Sequence, residues 1–168
     1  GLPMVEERKN PALTTTYGVG ELVRHAVKHG AKRIILGLGG SCTNDGGCGC
    51  AAALGVKFYK SDNSTFVPTG GTLEQIASID IAEAKNFLKD CNITVMCDID
   101  NPMHGTNGAS YIFGPQKGAD PEMVRELDRQ LVLLDKAIQR SLKIESVANV
   151  KGAGAAGAMG AGVTAFLG

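Results

Sequence analysis

The chain has 168 residues, with 17 Lys and Arg against 17 Asp and Glu, and 43% hydrophobic against 20% charged residues. These are globular values, which exclude a disordered chain as the default, and zero net charge excludes a general nucleic-acid binder, which needs a basic surface to displace counterions. Glycine is the anomaly: 23 residues, about twice the usual ~7%, with seven between positions 37 and 55 and six between 152 and 168, and no Gly-X-Y period that would suggest collagen.

In chain order, residues 1–17 are polar and read as irregular. Val19, Leu22, Val23, Ala26 and Val27 recur at helical spacing and Gly30 supplies a stop, predicting a helix over about 18–29. Arg33 to Leu38 is a short apolar, β-branched run, expected to be a buried strand. A Gly-rich loop, a small-residue helix from about Gly47 to Leu54 and a strand from Val56 to Tyr59 follow, then a turn region over 60–71. Ile81 to Leu88 is expected to be helical and Ile93 to Ile99 a second strong strand. Asp120-Pro121-Glu122 is a helix start, with an acceptor at the N-cap and Pro at the first helical position. Val124, Leu127, Leu131, Leu134 and Ile138 then mark a core-facing stripe. Gly154, Gly157, Gly160 and Ala161 allow close backbone approach in a last helix. Helices alternating with apolar strands predict an α/β layered domain over 1–168, its sheet mixed or parallel and flanked by helices.

The five cysteines are odd in number and lie mostly in apolar or Gly-rich runs, so they read as small buried hydrophobes in a reducing cytoplasm. Cys48-x-Cys50 lacks the paired spacing of a zinc site. The opening ten residues are too charged for a signal peptide, and the Gly/Ala tail is too weakly apolar to span a bilayer, so no membrane role is expected.

Chemistry concentrates in Gly37 to Gly49 (GLGGSCTNDGGCG), directly after a strand. Successive glycines let backbone N–H groups converge on an anion ahead of a helix, and Ser41, Thr43 and Asn44 add short polar side chains. A tight turn capped by Asp45 is the plainer alternative. The loop is no P-loop, since Gly-Lys occurs nowhere, and no dinucleotide fingerprint, since Cys42 stands where a third Gly belongs. A nucleophile elbow on Ser41 is nearly met, although Thr43 replaces its last Gly. A hydrolase would also need one of His25, His29 or His104, of which the first two read as surface residues. A second cluster, Cys97-Asp98-Ile99-Asp100-Asn101-Pro102, ends the second strong strand, where carboxylates can hold Mg²⁺ or accept a hydroxyl proton. Lys117 follows in the Gly-flanked turn Gly114 to Gly118 and suits a phosphate.

GLGGSCTNDGGCGCAAALGV, together with NPALTTTYGVGEL, CDIDNPMHGTNGASYIFGPQKGAD and GAGAAGAMGAGVTAFLG, resembles the bacterial glycerate kinases over nearly the whole chain. Cys42, Cys48 and Cys50 depart from that pattern, where Ala and Met are common. The resemblance implies Mg²⁺-dependent transfer of the ATP γ-phosphoryl group to D-glycerate. It also implies a second domain, absent here, that shares the cleft, because family members are more than twice this long. On that basis Asp45 or Asp98 is the expected base and the other lies near Mg²⁺, with Asp98 the candidate metal contact. Gly39, Gly40, Ser41, Thr43 and Asn44 are expected to hold an anionic group, Asn101 to orient, and Lys117 to neutralise phosphate or carboxylate charge. A serine hydrolase on Ser41 and a non-catalytic sugar-acid-binding domain stay as alternatives, and a homo-oligomer is left open.

Overall fold

A computed structural model describes residues 1–168. Its helices are α1 (Leu2–Val5), α2 (Tyr17–Lys28), α3 (Cys48–Ala53), α4 (Ala82–Leu88), α5 (Ala109–Phe113), α6 (Pro121–Leu142) and α7 (Ala155–Phe166). Strands β1 (Arg33–Gly37) and β5 (Asn92–Met96) pair in parallel, Arg33 opposite Asn92 through Gly37 opposite Met96. The crossover between them carries a three-stranded antiparallel sheet in which β2 (Lys57–Tyr59) lies between β3 (Thr65–Phe66) and β4 (Ser78–Asp80). The fold is therefore mixed α/β, and no helix is long and apolar enough to cross a membrane.

The longest helix forms as its sequence dictates. Asp120 caps α6 by accepting from the Met123 amide at 2.8 Å, Pro121 opens it, and Val124, Leu127, Leu131, Leu134 and Ile138 are buried. Most of that stripe joins the larger core around Phe58, Leu73, Met103 and Phe166, where the Phe58 and Phe166 rings meet edge to face at 5.6 Å.

Three expectations change. Strands β1 and β5 are covered on one face only: Ile34, Leu36, Ile93 and Val95 pack on a smaller core with Val23, Leu54 and Met159, while Ile35 and Met96 are 70% and 64% exposed. Parallel strands are ordinarily covered on both faces. Second, the last helix opens with three residues in left-handed conformation, Ala156 (φ 52°), Gly157 (φ 68°) and Ala158 (φ 67°). The loop after β1 occupies the adjoining space: Gly46 N–H donates to the Gly157 carbonyl at 3.0 Å, and a Cβ on Gly157 would overlap the Thr43 carbonyl. Third, the stretches read as irregular or turn hold α1 and β3, and β4 and α5 lie where no element was expected. None of these four exceeds five residues, too short for periodicity to register.

Candidate functional site

Because β1 and β5 run in parallel and in register, their carboxyl ends emerge side by side. Gly39 to Ser41 leave one strand and Asp98 leaves the other, and together they line a cavity of about 120 Å³ that Gln116 and Lys117 also line. The carboxyl edge of parallel strands is where α/β folds receive ligands.

Lys117 ends the 3-10 turn Pro115–Lys117 and is only 2% exposed. Its ammonium donates to Ser41 Oγ at 2.9 Å and to the Thr43 carbonyl at 2.8 Å, and no carboxylate lies within ion-pair distance. Burial pulls its pKa down to about 8, against the opposing pull of Cys42 and Asp45. A buried cation without a counter-ion is costly, and the arrangement favours an anion entering beside it. The amides of Gly39, Gly40 and Ser41 find no acceptor within the chain, so they remain available to the same ligand.

Asp45 does not reach this cavity. It is fully buried, and its Oδ2 accepts from the Thr16 amide and hydroxyl, both at 2.8 Å, and from the Gly49 amide at 3.2 Å. Oδ1 accepts from the Gly47 amide at 3.2 Å, and Thr15 Oγ1 lies 3.5 Å from Oδ2. Burial raises its pKa above the ordinary carboxylate value, and the Thr16, Gly49 and Gly47 donors oppose the shift. This geometry departs from the expectation of a base facing substrate: the carboxylate is the tie that holds the start of α2, the start of α3 and the glycine loop together. Thr15 and Thr16, which sequence reasoning passed over, are its partners; nothing in a 29-residue separation announces that contact.

The other candidates divide. Thr43 gives its carbonyl to Lys117, and its hydroxyl is buried without a partner. Asn44 is fully buried and donates to Ser110 Oγ at 3.0 Å, leaving its own Oδ1 unpaired. Asn101 donates to the Asn107 carbonyl at 2.9 Å and accepts from the Gly154 amide at 2.9 Å, so it braces the loop beyond β5 and does not line the cavity. Asp100 faces solvent with Lys151 at 3.8 Å. A second cavity of about 280 Å³ adjoins the first, sharing Leu38, Gly39, Ser41 and Ala156 with it and adding Val19, Leu36 and Met159.

The hydrolase alternative lacks its base. Ser41 pairs with Lys117, whereas His104 lies 4.0 Å from Asp135 and lines neither cavity. His25 and His29 stack on each other at the exposed end of α2. All five cysteines are free, and no three His, Cys, Asp or Glu side chains gather as a metal cage.

The profile of the Glycerate kinase family matches residues 1–168. The chain belongs to that family. Glycerate kinase of Bacillus cereus is 50% identical over 161 residues, covering 96% of this chain and 42% of the relative. Glycerate 2-kinase of Escherichia coli K12 is 48% identical over 169 residues, covering all of this chain and 44% of the relative. A crystal structure of glycerate kinase 2 from Salmonella typhimurium LT2 superposes with a TM-score of 0.93 at 45% identity, across 99% of this chain and 44% of that one. The chain thus spans less than half the length of these glycerate kinases.

Proposed function

We propose that this chain forms one domain of an enzyme that phosphorylates D-glycerate with ATP, on the 2-hydroxyl as the name of the Escherichia coli relative suggests. The observation that supports the reading is one small cavity holding a carboxylate, a buried ammonium and three free amides, in a chain of a kinase family. Phosphoryl transfer asks mainly for positioning and charge stabilisation, which is what such groups supply.

In this reading Asp98, the only carboxylate on the cavity, takes the proton of the attacking hydroxyl. The substrate oxygen then bonds to the γ-phosphorus in line with the departing ADP oxygen, whose bond to phosphorus breaks. Gly39 to Ser41 orient oxyanions through their amides, and Lys117 balances negative charge. Mg²⁺, when bound, neutralises charge between the phosphates. It is ordinarily held by one or two carboxylates, water and phosphate oxygens, so no cage is required, and exposed Asp98 would hold it through one carboxylate oxygen while the other stays free for the hydroxyl proton. Asp45 acts at a distance, keeping the loop in shape.

The uncovered face of β1 and β5, with Ile35 and Met96, supports a second half of the enzyme packing there, in keeping with relatives of more than twice this length. The test uses a protein of the relatives' full length that contains this chain. With Mg²⁺, ATP and D-glycerate, ³¹P NMR is expected to record 2-phosphoglycerate, and ATP hydrolysis without acceptor phosphorylation would count against the proposal.

A further inference from the structure

The two adjoining cavities differ in size and in charge, and the difference sorts the two substrates. At about 120 Å³, well below the ~300 Å³ at which ordinary ligand pockets begin, the small cavity suits a three-carbon acid better than a nucleotide. The neighbouring cavity of about 280 Å³ approaches that range; Val19, Leu36, Leu38 and Met159 give it an apolar stretch that suits a base, and Thr15, Thr16 and Thr43 also line it and offer polar atoms to a sugar. The groups facing the small cavity are one ammonium, Lys117, and one carboxylate, Asp98.

Lys117 has three protons, and Ser41 Oγ and the Thr43 carbonyl take two. The third has no acceptor in the chain, and the amides of Gly39, Gly40 and Ser41 border the same space. A single buried positive charge beside a carboxylate matches a singly charged carboxylate better than a multiply charged phosphate, which Asp98 would repel without a metal between them. Leu38, Ile99 and Phe113 also line the cavity and leave an apolar surface for the carbon chain.

We propose that Lys117, with the Gly39 to Ser41 amides, reads the carboxylate of the acceptor and so makes the enzyme a hydroxy-acid kinase, while the phosphoryl donor enters through the larger cavity and meets the acceptor at their shared wall of Ser41, Gly39 and Ala156. This assignment rests on the kinase reading above but adds the division between the two substrates. It has a pH consequence. The charged and titratable groups around Lys117 are Cys42 and Asp45 on the loop and Asp98 at the end of β5; the walls from α5 and α7 bring only Phe113, Ala155 and Ala156. Burial has already brought the Lys117 pKa to about 8, so above that pH a carboxylate binds only by holding a proton on the lysine.

The experiment compares D-glycerate with D-glyceramide, the same molecule with a neutral amide in place of the carboxylate, in the full-length protein. Calorimetry from pH 7 to 9.5, in buffers of different ionisation enthalpy, is expected to show glycerate affinity falling about tenfold per pH unit above pH 8, with proton uptake on binding, and glyceramide binding at least 10²-fold more weakly at pH 7. Lys117→Met is expected to lower kcat/KM for glycerate by 10² or more, to leave MgATP affinity within threefold and to abolish the preference for glycerate over glyceramide. The unmodified protein carries the test even where the variant folds poorly. Glycerate affinity constant from pH 7 to 9.5 would overturn the assignment, as would a Lys117→Met enzyme that loses MgATP affinity yet keeps its preference for the carboxylate. Proton-linked glycerate binding without phosphoglycerate formation would sink the kinase reading alone, and turnover with proton-independent binding would sink the Lys117 assignment alone.

Discussion

Asp45→Asn separates a structural carboxylate from a catalytic one. In the native structure Oδ2 takes three donors at 3.2 Å or less and Oδ1 takes the Gly47 amide. An asparagine can keep its oxygen at the Oδ2 position, but its NH₂ then faces the Gly47 N–H, donor against donor. One buried donor left unmade costs about 1–3 kcal/mol, and the bonds to Thr16 lose their charge assistance, worth about 1 kcal/mol more. The expected loss is therefore about 2–4 kcal/mol. For a chain of this size each kcal/mol moves the melting midpoint by about 2–4 °C, so the midpoint should fall by roughly 5–15 °C. The assay pairs a melting curve of the variant with steady-state kinetics of the full-length protein well below its midpoint. The folded variant is expected to lose kcat/KM for glycerate through loop disorder, with KM rising at least as much as kcat falls. An unchanged midpoint with kcat reduced 10²–10⁴-fold and KM preserved would identify Asp45 as the base and refute the reasoning.

Asp98→Asn gives the opposite pattern: this exposed residue makes no buried contact, so the melting midpoint should hold while kcat falls about 10²–10⁴-fold, and retained kcat would remove it from the mechanism. Gly157→Ala should cost at least about 1–3 kcal/mol, because its Cβ meets the Thr43 carbonyl and its φ is 68°; a melting curve that does not move would contradict that packing. For Lys117 the folded pKa of about 8 lies below the ordinary 10.5, so between those values the unfolded chain holds a proton that the folded chain has shed. Stability measured by urea unfolding should therefore rise with pH across that window relative to Lys117→Met, and parallel curves would show that the lysine is not desolvated. Charging the open sheet face with Ile35→Asp should leave this chain's own unfolding free energy within about 0.5 kcal/mol but destabilise the full-length protein, and equal effects in both would mean that nothing covers that face.

The elements legible in the sequence were those with a strong period or a cap. Asp120-Pro121 and the stripe from Val124 to Ile138 become α6, and the two β-branched runs become β1 and β5. The convergence of the glycine loop and Asp98 followed from the carboxyl-end rule for parallel strands. Other features depend on what surrounds a residue. Ile35 and Ile34 are chemically alike, and only the pleat decides that one is exposed. Ala156 and Ala158 belong to the best helix-forming residue type, yet the loop packed against them holds both in left-handed conformation. Asp45 carried the right chemistry for a base, but its Thr16 partner comes from an element that no spacing rule connects to it.

In the proposed function, the cavity between the ends of β1 and β5 is one side of a glycerate kinase active site completed by the rest of the relatives' length. The most direct measurement is ADP release, with Mg²⁺, ATP and D-glycerate, from this 168-residue chain and from the full-length protein side by side. Glycerate-dependent turnover is expected from the full-length protein, and none measurable from the chain alone. Turnover by the chain within tenfold of the full-length protein, or a full-length protein indifferent to glycerate, would contradict it.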